Sequence, residues 1–171
     1  YMVVDDYHFL TTGADPENLN GYYYTEQEGK VLSVFPISQK MRYAMPFEDP
    51  QVAIDILKSY ATDDGDSLVV MADDGEKFGI WPGTWETVYG QKWLERFLTL
   101  VSENSDWLTT TTFKQYHSNH IPRDLVYIPT SSYFEMSQWT LPTDLGRRMD
   151  HFVHDLENQG RADESRPFIK G

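Results

Sequence analysis

The sequence predicts an α/β domain built around parallel strands, and three observations predict it. Short apolar runs at residues 2–4, 68–72 and 124–128 are bounded by turn formers, and the 68–72 run (LVVMA) suits a strand buried on both faces of a parallel sheet. An amphipathic stretch lies before that run, which gives the strand, helix, strand rhythm of βα repeats. Each run also ends in a polar and aromatic loop. Asp5-Asp6-Tyr7-His8 follows the first, Asp73-Asp74-Gly75-Glu76 the second, and a Ser/Tyr/Glu/Trp-rich loop the third. Open α/β sheets and barrels carry their chemistry at the carboxyl ends of strands, so one shared mouth is expected.

Taken in order, residues 11–20 carry turn formers without periodicity and predict a loop. Residues 21–27 and 30–36 are β-rich runs around Glu28-Gly29, a hairpin with positive φ at the glycine. Asp49-Pro50 is a helix start, with the acid as N-cap and proline in the first turn; Val52, Ala53, Ile56, Leu57 and Tyr60 form its apolar face. Trp93, Leu94, Phe97, Leu98 and Val101 mark a second amphipathic helix, on which Trp93 is a packing residue. Residues 107–120 are ambiguous between a β-prone threonine run and a short helix capped by Thr110 or Thr111. Residues 129–139 are expected as a loop. Leu145, Met149, Phe152, Val153 and Leu156 give a last helix opened by Pro142-Thr143-Asp144, and Arg166 to Gly171 a closing loop.

With 171 residues the chain is long enough for one domain with a core. A net charge of −13 repels phosphate backbones and anionic lipid, so neither nucleic acid nor membrane is an expected partner. The absence of cysteine excludes thiol catalysis, thiolate metal sites and disulfides. An aromatic content of 15 %, rich in Tyr and Trp, favours a wet, aromatic-lined cleft and a neutral ligand.

The chemistry centres on Asp73, Asp74 and Glu76. A solvated turn is the plain alternative, since Asp-Gly is a common turn dipeptide. Phe78, Trp81 and Trp85 follow at once, however, and flat apolar faces beside carboxylates suit a sugar ring. No serine sits in a Gly-flanked elbow, and no Gly-rich phosphate cradle is present. The pairs His117/His120 and His151/His154 have a three-residue spacing that is common by chance, and His151 and His154, flanking the apolar stripe of an expected helix, read as a solvated face. Asp5, Asp6, His8 and Asp74 could in principle bind a divalent cation, as in metal-dependent sugar deacetylases. Acid/base work by carboxylates on a glycosidic bond is the remaining chemistry, with Asp74 as one partner. Burial among Phe78, Trp81 and Trp85 is expected to favour its acid form.

The stretch MADDGEKFGIWPGTWETVYG resembles the fourth signature of glycoside hydrolase family 57, in the branch of 4-α-glucanotransferases and related α-amylases. VVDDYHF, GYYYTEQEGKVLSVFPISQKMRYAMPF, SSYFEMSQWTLP and RPFIKG resemble the same branch in the same order. The resemblance implies an incomplete seven-stranded (β/α) barrel, of which residues 1–171 would be a catalytic-domain part truncated at both ends. It implies a retaining enzyme that cleaves or transfers α-1,4-glucosidic linkages without cofactor or metal. By position, Asp74 matches the general acid/base, Glu76 and Trp81 match active-site positions, and Asp6 and His8 match the DDYHF loop, all as substrate-binding residues. The family's nucleophilic glutamate would lie before Tyr1; Glu135 is the alternative within the chain. A cytoplasmic location is expected. The rival readings are the metal-dependent deacetylase and a non-catalytic glucan-binding homologue.

Overall fold

The structure is a computed structural model that describes residues 1–161; the expected closing loop from Arg166 to Gly171 lies outside the described residues. Its sheet has the order β1-β3-β2, with β1 at Met2–Asp5, β2 at Tyr23–Gln27 and β3 at Lys30–Ile37. β1 runs parallel to β3 in the register Met2↔Val34 to Asp5↔Ile37, and β2 pairs antiparallel with β3 from Tyr23↔Val34 to Gln27↔Lys30. The turn joining β2 to β3 is the two-residue loop expected, with φ of 53° at Glu28 and 76° at Gly29. Positive φ at both centres matches the right-handed twist of the flanking strands. The sheet is therefore mixed, not purely parallel.

The 68–72 run is extended but does not form a laddered strand. It touches the sheet through one parallel bridge, Val70 to Ile37, with the Ser38 amide donating to the Val70 carbonyl at 2.8 Å. The reason is steric order in the sheet. β1 and β2 already flank β3, and only beyond Val34, where β2 stops pairing, is an edge open for Val70. Consequently Val70 alone of the run is buried, and the other residues are half-buried. Residues 124–128 behave similarly. Leu125 bridges Tyr24 in parallel, with the Tyr24 amide donating to Asp124 at 2.9 Å and the Val126 amide to Tyr24 at 2.7 Å.

The helices are α1 (Tyr7–Leu10), α2 (Gln39–Ala44), α3 (Pro50–Ser59), α4 (Trp93–Glu103), α5 (Phe113–Asn119), α6 (Phe134–Trp139) and α7 (Thr143–Asn158). α3 starts as the sequence predicts, with Asp49 accepting from the Gln51 amide and Pro50 in the first turn. Its buried face is Pro50, Ala53 and Ile54, while Val52 is exposed. On α4, Trp93 is buried as expected and Leu98 is exposed. The ambiguous 107–120 stretch resolves as α5, capped by Thr112 and not by Thr110 or Thr111. Part of the expected 129–139 loop is helical, as α6. His151 and His154 are exposed on α7. Among the described residues no helix is long and apolar enough to cross a membrane.

Among the described residues, three buried clusters make the core. Phe9, Leu19, Tyr23 and Val34 pack on one part of the sheet, and Tyr22, Phe35, Val70 and Tyr116 on another. Met41, Met45, Ala53 and Trp93 form the third, against which Val69, Met71 and Phe78 pack. This last cluster is the floor on which the 73–85 loop rests.

Candidate active site

Three chain segments leave the sheet side by side. β1 delivers Asp5 and Asp6. β3 turns at Ser38, whose Oγ accepts from the Met41 amide at 3.3 Å and caps α2, the helix that carries Arg42 and Tyr43. The 68–72 run, held at Val70, delivers Asp73 and Asp74. The shared mouth expected from the two acidic strand ends is present, because Arg42 bridges them: its Nη1 lies 2.6 Å from Asp5 Oδ2 and its Nε 3.7 Å from Asp73 Oδ2.

The groups under this mouth are charged and buried. The Asp5 side chain is 6 % exposed, and those of Asp73 and Lys77 are each 4 % exposed. Burying a charge is costly unless it is paired and hydrogen-bonded, and each of these is. Asp5 Oδ1 accepts from the Tyr7 amide at 3.0 Å. Lys77 Nζ donates to Asp73 Oδ2 at 2.5 Å and to the Arg42 carbonyl, and sits 5.2 Å over the Phe47 ring. Asp73 Oδ1 accepts from the Asp74 amide at 2.9 Å. Burial pulls the Arg42 guanidinium toward the neutral form, but the carboxylates of Asp5 and Asp73 outweigh it and leave its pKa raised.

Asp74 stands above this layer and is exposed, not buried among Phe78, Trp81 and Trp85 as the sequence suggests. It precedes a 3-10 turn at Gly75–Lys77, and its carbonyl accepts from the Lys77 amide at 3.2 Å. Glu76 is exposed on that turn, with its carbonyl accepting from the Ile80 and Trp81 amides at 2.9 and 3.0 Å. Thr84, 3 % exposed, closes the loop: its hydroxyl accepts from the Gly79 amide at 3.1 Å and donates to the Trp81 carbonyl at 2.7 Å. Trp81, 41 % exposed, stacks on Phe47 with centroids 6.5 Å apart and planes at 22°, and Trp85 is more exposed still. The loop thus holds Trp81 flat and open, the geometry that a sugar face needs.

Asp6 and His8 face the protein. Asp6 Oδ2 accepts from the Gln39 amide at 2.9 Å, while its Oδ1 is buried with no hydrogen-bond partner. Burial foremost, with the Asp5 charge adding to it against the Gln39 bond, pushes the Asp6 carboxyl up to about 6. His8 lies between the Asp5 carbonyl, 3.0 Å from Nδ1, and the Ser131 carbonyl, 3.1 Å from Nε2. It ties the end of β1 to the loop before α6. Of the four groups considered for a cation, Asp5 is committed to Arg42 and Tyr7, and His8 to two carbonyls. No set of three His, Asp or Glu side chains among the described residues is grouped to hold a metal.

On the same side, the Tyr43 hydroxyl donates to Glu135 Oε1, and Glu135 Oε2 is buried without a partner. Burial and this hydrogen bond push the Tyr43 phenol up. Arg42, Tyr43 and Lys77 escaped the sequence reading. For Lys77 a signal existed, since it stands four residues after Asp73, the spacing of an acid–lysine pair. For Arg42 none did, because both its acidic partners are more than 30 residues away.

The glycosyl hydrolase family 57 model matches residues 1–129. The chain is 44 % identical over all its 171 residues to a 4-alpha-glucanotransferase from Thermococcus litoralis, covering 26 % of that protein. It is 42 % identical to an alpha-amylase from Pyrococcus furiosus and 40 % to alpha-amylase 1 from Dictyoglomus thermophilum, again over its full length and about a quarter of theirs. The crystal structure of the Thermococcus litoralis 4-alpha-glucanotransferase superposes with a TM-score of 0.90 over 99 % of this chain and 26 % of the other. The chain spans about a quarter of the length of the curated relatives it matches. The mixed α/β arrangement, the acidic mouth and these matches agree: the chain belongs to glycosyl hydrolase family 57.

Proposed function

We propose that this chain is part of the catalytic domain, an incomplete seven-stranded (β/α) barrel, of a retaining enzyme that cleaves or transfers α-1,4-glucosidic linkages. The observation that carries the reading is an exposed Asp74 and an open Trp81, its carbonyl held by Thr84, on one loop that follows the carboxyl end of the 68–72 run. The names of the relatives, 4-alpha-glucanotransferase and alpha-amylase, supply the substrate class.

Asp74 donates a proton to the glycosidic oxygen as the bond from the anomeric carbon to that oxygen breaks. A glutamate outside these 171 residues forms the new bond to the anomeric carbon. The Asp74 carboxylate then takes the proton of an incoming water or sugar hydroxyl, which displaces the glutamate and restores the configuration. Trp81 offers its face to a glucose ring, and Glu76 hydrogen-bonds hydroxyls beside it. Asp6 and His8, matched by position to the same family loop, shape the wall of the pocket from the end of β1 through their bonds to Gln39 and Ser131.

Asp74→Asn in the full-length enzyme tests the assignment. The amide keeps shape but cannot deliver a proton, so kcat on maltooligosaccharides should fall by about 100-fold or more with binding within a few-fold. Retention of more than about a tenth of wild-type kcat would remove Asp74 from the role.

A further inference from the structure

The neighbour of Asp74 in sequence makes contacts that a surface turn does not require. Asp73 points down where Asp74 points out, and its two oxygens have separate partners. Oδ1 accepts from the Asp74 amide at 2.9 Å, and Oδ2 meets Lys77 Nζ at 2.5 Å and Arg42 Nε at 3.7 Å. Lys77 is anchored in turn on the Arg42 carbonyl, and Arg42 on Asp5 at 2.6 Å. The Asp74 carbonyl is held as well, by the Lys77 amide at 3.2 Å. Both peptide groups that flank the Asp74 Cα are therefore tied to one buried network spanning β1, α2 and the turn.

We propose that Asp73, clamped by Lys77 and Arg42, is a positioning residue for Asp74. It fixes the backbone from which the Asp74 carboxyl is aimed and does not touch substrate. The proposal rests on the acid/base reading of Asp74 given above. Its physical basis is that proton transfer demands hydrogen-bond reach to one oxygen, and a displacement of about 1 Å can cost on the order of 100-fold. An exposed side chain with no cap bond of its own has only its backbone to hold its direction. A buried ion pair adds little net stability compared with apolar packing, and geometric definition is what it supplies here.

The test uses the full-length enzyme and two substrate pairs. Maltoheptaose requires proton transfer at both steps. α-Maltosyl fluoride with azide as acceptor requires none, because fluoride leaves unprotonated as the glutamate bonds the anomeric carbon, and azide then forms the new carbon–nitrogen bond as the carbon–glutamate bond breaks, without losing a proton. Asp73→Ala and Lys77→Met should lower kcat on maltoheptaose by about 10- to 100-fold with KM within about three-fold. They should lower the fluoride–azide rate by less than about three-fold, and in an Asp74→Asn background should cost less than about three-fold further. Should Asp73→Ala fail to fold, Asp73→Asn, of the same volume, should show the same selectivity at smaller size. If Asp74→Asn itself depresses both substrate pairs equally, the acid/base reading falls and the positioning role with it. If Asp74→Asn spares fluoride–azide but the Asp73 and Lys77 variants depress both pairs equally, or change only the melting midpoint, the clamp is structural and the proposal is overturned.

Discussion

Truncating Trp93 should show that two tryptophans 12 residues apart have opposite roles. Trp93 is 3 % exposed, its ring lies 5.3 Å from that of Phe97 with planes at 18°, and its Nε1 donates to the Glu48 carbonyl at 2.6 Å. Trp93→Ala opens a cavity in the cluster of Met41, Met45 and Ala53 and strips Glu48 of its donor. Large aromatic truncations in cores cost about 3–5 kcal/mol, and the orphaned carbonyl places this one toward the upper end. Trp93→Phe keeps the stack and gives up the hydrogen bond, for about 1–2 kcal/mol. Trp81 is 41 % exposed and loses mainly its contact with Phe47, so Trp81→Ala should cost about 1 kcal/mol of stability while weakening maltooligosaccharide binding by about tenfold. Urea denaturation and calorimetric titration of maltoheptaose on the full-length enzyme read both quantities. Equal stability losses for the two alanine variants, with affinity unchanged in each, would refute the distinction between packing and stacking.

Two further outcomes follow from the fold. The Asp6 carboxyl, raised to about 6 chiefly by burial, binds its proton more tightly folded than unfolded, so it disfavours folding increasingly as pH rises from about 4 through about 6. Asp6→Asn should therefore gain in melting midpoint over wild type across that window and keep the advantage above it; a pH-independent difference would contradict the linkage. Thr112 Oγ1 caps α5 by accepting from the Gln115 amide at 3.2 Å, and Thr112→Ala should cost about 1 kcal/mol by urea denaturation, against no measurable loss for Thr110→Ala.

Much of the architecture was legible residue by residue. Glu28-Gly29 announced the hairpin turn, Asp49-Pro50 the start of α3, and the apolar spacing around Trp93 the face of α4, because caps, turns and periodicity act within a few residues. The stretch from Met71 to Gly90 was equally legible as a family signature, since its acids and tryptophans are adjacent in sequence. What the sequence by itself determined was thus local conformation and the kind of chemistry present. Tertiary structure alone decided that residues 68–72 meet the sheet at one bridge, because the flanking positions along β3 were already occupied. It alone decided that Asp74 is exposed while the Asp73 side chain is buried, and that Arg42 joins Asp5 to Asp73. Those outcomes depend on where separate segments come to rest in space, and an ion pair between residues more than 30 apart leaves no periodic or neighbour signal in the chain.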